Sequence, residues 1–279
     1  MKLLFIGDIV GRPGRELVRR WLKTIRQAHA IDLVIANVEN AAGGAGVTRE
    51  ITDDLINQGI QVLTSGNHIW DKREVLEFIG AVPQLVRPAN YPAGTPGGGS
   101  YVWRGQHGEA VGVINAMGRV FMASLDDPFA VVTQEIAKVR ADGARIILVD
   151  FHAEASSEKL AFGWFLDGQV TAVLGTHTHV QTADDRVLPG GTAYISDVGM
   201  TGAHDGVIGM ERSAVIARFT TGLPMRYESA VADPRLHAVV VTADPDTGRA
   251  TAIERLSLDI AALTGLAARV DSEHTVYTQ

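Results

Sequence analysis

The chain has 279 residues, nearly half of them apolar and a fifth charged, a balance that allows a large buried core. It has no cysteine, which excludes a disulfide framework, a thiolate-held zinc or iron–sulfur site and a cysteine nucleophile. The net charge of −7 leaves no basic stripe for an extended nucleic-acid backbone, whereas a small anionic substrate stays open, because bound cations would dominate the local field.

The apolar run before Asp8 is too short for a secretory segment, and no stretch approaches the roughly 20 apolar residues of a membrane span. The expectation is a cytoplasmic protein with no membrane partner. Residues 2–7 and 32–38 read as strands. Between them Leu17, Val18, Trp21, Leu22, Ile25 and Ala28 recur at helical spacing, with Pro13 near the helix start. A helix over 47–58, a strand over 60–65 and a helix beginning near Asp71, as its N-cap, come next. The Pro-, Gly- and Asn-rich stretch 88–99 predicts an irregular loop at the rim of a site. Strands are predicted over 100–104 and 110–115, a helix over 128–142, a strand over 145–150, a helix over 156–166 and a strand over 170–175. Near the end, 236–243 and 249–258 flank Asp244-Pro245-Asp246-Thr247-Gly248 and read as a hairpin.

No internal repeat or long linker interrupts this order, so the chain reads as a single domain over 1–279. Alternating strands and helices indicate an α/β fold. The paired strands late in the chain argue against one parallel sheet. They predict a four-layer α/β/β/α sandwich of two mixed sheets with helices outside.

Acids, amides and histidines fall at or just beyond strand ends: Asp8, Glu39 with Asn40, Asn67 with His68, His152, and His177 with His179. Ligands of open α/β sheets collect outside the carboxyl ends of strands, where distant residues can converge. Singly, each has an ordinary reading as a cap, a turn residue or a packed histidine. The His177-Thr178-His179 pair stands apart, since alternate residues of extended chain point the same way and two close imidazoles suit a cation. Carboxylate, amide oxygen and imidazole without sulfur fit manganese, iron or zinc. So many donors suit two cations, an arrangement that clamps a phosphate and generates hydroxide at neutral pH. His29, His107, His237 and His274 read as surface residues, and His204 as a loop residue near substrate.

Gly7-Asp8, Gly66-Asn67-His68, His152 and Gly175-Thr-His177-Thr-His179 resemble the motifs of calcineurin-like metallophosphoesterases. The closer resemblance is to the bacterial YmdB-type family, which hydrolyses 2′,3′-cyclic nucleotides and related phosphodiesters. It runs almost end to end, through Phe5-Ile-Gly-Asp8-Ile-Val-Gly11, Glu39-Asn-Ala-Ala42, Gly66-Asn-His-Ile-Trp-Asp71, Leu85-Val-Arg-Pro-Ala-Asn90, Asp150-Phe-His-Ala-Glu-Ala-Ser156 and Asp197-Val-Gly-Met-Thr-Gly202. Val10 stands where the wider superfamily has a histidine and Glu39 where it has a bridging aspartate, both features of the narrower family. The resemblance implies a β-sandwich flanked by helices, and two metal ions, iron or manganese. Asp8, Asn40 and His179 would hold one, Asn67, His152 and His177 the other, and Glu39 would bridge. His68 would be catalytic, facing a small anionic nucleotide diester attacked by metal-generated hydroxide. Homo-oligomerisation stays open.

Two rival readings remain. One is a regulatory or RNA-processing-associated protein with secondary or no catalysis. The other is a dinucleotide-binding oxidoreductase, suggested by Gly7, Gly11 and Gly14 after the first strand with Glu39 beyond the second, although the glycine spacing departs from that fingerprint.

Overall fold

The computed structural model describes residues 1–276, with side chains through Ser272; His274 lies outside the described side chains. In chain order the strands are β1 (Lys2–Ile6), β2 (Asp8–Ile9), β3 (Leu33–Asn37), β4 (Val62–Thr64), β5 (Ser100–Arg104), β6 (Ala110–Met117) and β7 (Ile146–His152). They continue with β8 (Ala172–Thr176), β9 (Arg186–Val187), β10 (Ala193–Ile195), β11 (Met200–Ala203), β12 (Pro234–Ala243) and β13 (Ala250–Leu258). The helices are α1 (Gly11–His29), α2 (Arg49–Asn57), α3 (Val75–Phe78), α4 (Pro128–Ala141), α5 (Ser156–Phe165), α6 (Arg212–Thr221) and α7 (Ile260–Val276).

Among the described residues the strands form two mixed sheets. The first runs β2-β11-β12-β1-β3-β4, with β13 also on β12; the second runs β5-β6-β7-β8-β10-β9. In the first, β1, β3 and β4 are parallel while β12 is antiparallel to β1 and β13. In the second, β6, β7, β8 and β10 are parallel.

The period-2 side-chain alternation of strands builds the layers. Leu3 and Phe5 of β1, with Leu33 and Ile35 of β3, face Val111, Val113, Leu148 and Leu174 of the second sheet. Leu4 and Ile6 point the other way, onto Leu17, Val18 and Trp21 of α1. On the far side Ile114, Val149 and Phe151 pack against Val132 and Ile136 of α4 and Phe162 of α5. Each fully buried side chain of this kind contributes about 1.5–3 kcal/mol, so the three apolar layers hold the sheets in register. The four-layer α/β/β/α sandwich predicted from the sequence is the observed architecture.

Three local expectations are corrected. The helix expected from Asp71 begins at Val75 and lasts four residues, because residues 66–74 are turns and the Asp71 carboxylate is taken by His68. His237 is buried in β12, not on the surface; its neighbours Leu236 and Ala238 face the helices, so its ring turns toward the other face. Burial, with the nearby charges of His204 and Arg235, lowers its pKa to about 4. The glycines that imitate a dinucleotide loop serve packing: a β-carbon on Gly7 would lie 2.0 Å from the carbonyl oxygen of Gly199, and one on Gly14 2.3 Å from that of Thr201.

Candidate metal centre

All five strand-end clusters meet at the carboxyl ends of both parallel strand sets. From the first sheet, Asp8 lies in β2, paired alongside β11. Glu39 and Asn40 follow β3, where Asn37 Oδ1 accepts the N–H of Glu39 (3.1 Å) and bends the chain. Asn67 and His68 follow β4 on a turn opened by Gly66, where a β-carbon would lie 2.3 Å from His152 Nε2 and 2.5 Å from Glu39 Oε2. Only a glycine leaves the floor of the site open. From the second sheet come His152, the last residue of β7, and His177 and His179, beyond β8.

The histidine pair does not sit on extended chain. His177 has φ 101° and His179 φ 65°, the left-handed region that bulky residues adopt only when their surroundings impose it. The two rings consequently serve different neighbours. His177 Nδ1 lies 3.1 Å from His152 Nε2, and His179 Nε2 lies 3.1 Å from Asn40 Nδ2 and 3.8 Å from Asp8 Oδ1.

Hydrogen bonds fix which ring nitrogens face inward. Thr176 donates its hydroxyl to Asp150 (2.6 Å), so its oxygen accepts from His152 Nδ1 (2.9 Å). His179 Nδ1 donates to the carbonyl of Ile208 (2.9 Å), and His177 Nε2 lies 3.2 Å from Glu154 Oε2. Each ring is thereby left with one nitrogen turned into the cluster, the arrangement of a metal-binding histidine held by an outer partner.

What surrounds those nitrogens fits a cation. His152 Nε2 meets Asn67 Oδ1 at 2.9 Å, Glu39 Oε1 at 3.1 Å and the inward nitrogen of His177. Acceptors this close repel unless something positive lies among them. Burial alone would lower the His152 pKa and raise that of Glu39. Their mutual attraction reverses both, raising the His152 pKa and lowering that of Glu39, so the pocket favours positive charge beside the Glu39 carboxylate. Burial and the neighbouring His152 lower the His177 pKa to about 3, which keeps that ring neutral and ready to ligate. Asp8 is wholly buried, and its Oδ1 has no hydrogen-bond partner among the described residues. Glu39, His152 and His177 each offer a ligand atom within 4.8 Å of the others.

The site is closed on one side and open on the other. Asp8, Glu39, Asn40, His152 and His179 are buried, whereas Asn67, His68 and His177 are partly exposed. His68 stands at the opening. Its backbone N–H donates to Glu39 Oε2 (2.9 Å) and its Nδ1 lies 2.8 Å from Asp71 Oδ2, which orients the ring. Sequence reasoning had Asp71 as a helix cap, and gave Glu154, Thr176 and Ile208 no part in the site. The His-x-x-Asp spacing was the available signal for Asp71; the others are local only in space.

Residues 4–256 match the family of YmdB-like proteins. The chain is 50% identical over 260 residues to the 2′,3′-cyclic-nucleotide 2′-phosphodiesterase of Bacillus subtilis, spanning 93% of this chain and 97% of that protein. A crystal structure of a hypothetical protein from Thermus thermophilus shares 42% identity and superposes with a TM-score of 0.86, covering 93% of this chain and 99% of that one. A crystal structure of a novel phosphatase from Mycoplasma pneumoniae shares 33% identity at a TM-score of 0.87, with 93% of each chain covered. With the family matched over most of its length and half its residues shared with a curated relative, the chain belongs to the YmdB-like family.

Proposed function

We propose that this phosphoric diester hydrolase opens 2′,3′-cyclic nucleotides, or closely related small phosphodiesters, at a centre of two cations, iron or manganese. The observation that carries the reading is the position of Glu39 Oε1, 3.1 Å from His152 Nε2 and 3.3 Å from Asn40 Nδ2. One carboxylate oxygen reaches both halves of the cluster. Asp8, Asn40 and His179 would hold one cation and Asn67, His152 and His177 the other, with Glu39 shared; Asn40 can offer its oxygen by turning its amide. Bound there, paired cations neutralise phosphate oxygens and supply hydroxide at neutral pH. The Bacillus subtilis relative, named for 2′,3′-cyclic nucleotides, supports the substrate class.

The chain's own groups do the rest. His68, at the open side with Nδ1 bonded to Asp71, keeps Nε2 for the substrate. As the phosphorus–oxygen bond of the ring breaks, Nε2–H gives its proton to the departing ribose oxygen. Glu39 ties this acid to the cluster by accepting the backbone N–H of His68. Among the described residues no helix is long and apolar enough to cross a membrane.

Elemental analysis, paired with hydrolysis of bis(p-nitrophenyl) phosphate and 2′,3′-cyclic AMP, tests the reading. About two iron or manganese ions per chain are expected. Chelation should abolish turnover of both esters, and adding Mn²⁺ should restore it. Full turnover by metal-free protein would overturn it.

A further inference from the structure

The motif that begins at Asp197 contributes nothing to the cluster itself, yet its carboxylate is buried directly behind the loop carrying His177 and His179. Gly175 permits this closeness, for a β-carbon there would lie 1.8 Å from the carbonyl oxygen of Ser196. Asp197 Oδ2 accepts from Lys159 Nζ at 2.7 Å and from the backbone N–H of Thr178 at 3.0 Å. Asp197 Oδ1 accepts the N–H of Gly199 at 2.8 Å. Lys159, on α5, also donates to the backbone carbonyl of Thr176 at 2.8 Å. The ion pair therefore grips the carbonyl just before His177 and the N–H just after it. His177 is the residue forced to φ 101°.

Both partners are almost wholly out of water, at 2% and 1% side-chain exposure. Burying two charges costs so much solvation that an apolar pair of equal volume is often as stable or more so. Stability alone does not account for Lys159 and Asp197. A strained backbone persists only where its surroundings over-determine it; here the ion pair holds both flanking peptide groups, beside longer bonds of 3.4 Å from the His177 N–H to Asp8 Oδ2 and from the Ala153 N–H to the Thr176 carbonyl.

We propose that Lys159 and Asp197 are positioning residues that lock the His177 peptide in its left-handed shape before any cation arrives. By doing so they set the cation affinity of the half-site that His177 serves. The inference rests on His177 being a ligand, as read above.

The test is Mn²⁺ titration of the apoprotein by calorimetry, with thermal melting alongside, on the parent, Asp197→Asn, Lys159→Met and the double variant. Each single change strands a buried partner and should lower the melting temperature. The double variant buries no charge and should melt close to the parent. Its affinity for one of two Mn²⁺ ions should nevertheless stay roughly 10–100-fold weaker, the usual loss when an outer partner of a ligand is removed. Affinity that recovers together with stability would reduce the pair to a structural role and overturn the proposal. Hydrogen exchange in the parent apoprotein supplies a check independent of any variant. The Thr178 amide should be protected without metal; protection that appears only on adding Mn²⁺ would mean that the cation, not the ion pair, holds the loop. A parent that binds no Mn²⁺ would defeat the metal centre itself, an outcome distinct from either of these.

Discussion

The two sheets bring different chemistry to the cluster and secure it differently. The first supplies oxygen and amide donors, Asp8, Glu39, Asn40 and Asn67; the second supplies only imidazoles, His152, His177 and His179. On the first sheet Asp8 sits in β2 and the other donors on turns held by nearby backbone, as where Glu39 N–H bonds Asn37 and Glu39 Oε2 takes the N–H of His68. On the second, each ring leans on an outer group: Thr176 and behind it Asp150, Glu154, and the carbonyl of Ile208. The reason lies in the donors. A carboxylate accepts through two oxygens from many directions, whereas a neutral imidazole has one lone pair, on the right nitrogen only if the other holds the proton. An oxygen donor needs placing; a nitrogen donor needs placing and a fixed tautomer.

That contrast can be pressed experimentally. The largest effect is expected for His68→Ala, which removes an imidazole from the first sheet's side of the site. Turnover of a diester with a poor leaving group should fall about 10²–10⁴-fold while metal content stays at the parent level. Depleted metal would instead move His68 among the ligands and erase the division between the sheets. Next comes Thr176→Val, which keeps the side-chain shape but removes the acceptor of His152 Nδ1. Cation affinity should weaken by roughly 10–100-fold in a titration of the apoprotein. Unchanged affinity would show that His152 needs no outer partner. The smallest effect belongs to Arg212→Ala, which breaks an exposed ion pair with Asp205 at 2.9 Å. Stability by chemical denaturation should shift by no more than about 1 kcal/mol, with hydrolysis unaltered. A larger loss would make this surface pair comparable with the buried network.

The layers and the clustering of the candidate site residues were legible in the sequence for the same reason. Apolar alternation marks where strands run, and polar residues just past the strand ends mark where a parallel sheet collects its ligands. Less legible was the backbone at those ends. His177 and His179 look like alternate residues of an extended chain, but a left-handed turn carries them to separate neighbours, and nothing in their side chains announces it. Asp71 looked like a cap because an aspartate before a helix usually is one; a contact within the same turn, with His68 three residues back, prevailed. His237 was misplaced although its strand alternation was readable, with Leu236 and Ala238 assigning it to the opposite face. The short strands β2, β9, β10 and β11, of two to four residues, fall below the length at which a periodic pattern can be detected.

The antiparallel seat of β12 beside β1 has a bearing on how the protein is made. Residues 2–6 must wait for residues 238–242 before the first sheet is complete, and Asp8 meets a residue 169 positions further on. At roughly 5–20 residues per second, that wait lasts on the order of ten to fifty seconds. A nascent chain on the ribosome thus displays its acids long before its imidazoles. Until residues 152–179 have been made, an ion meeting the chain finds Asp8, Glu39, Asn40 and Asn67 without the second sheet's three imidazoles, and such oxygen donors do not favour transition metals over abundant magnesium. Any selection among cations would fall to the folded chain, in which the donors of both sheets meet.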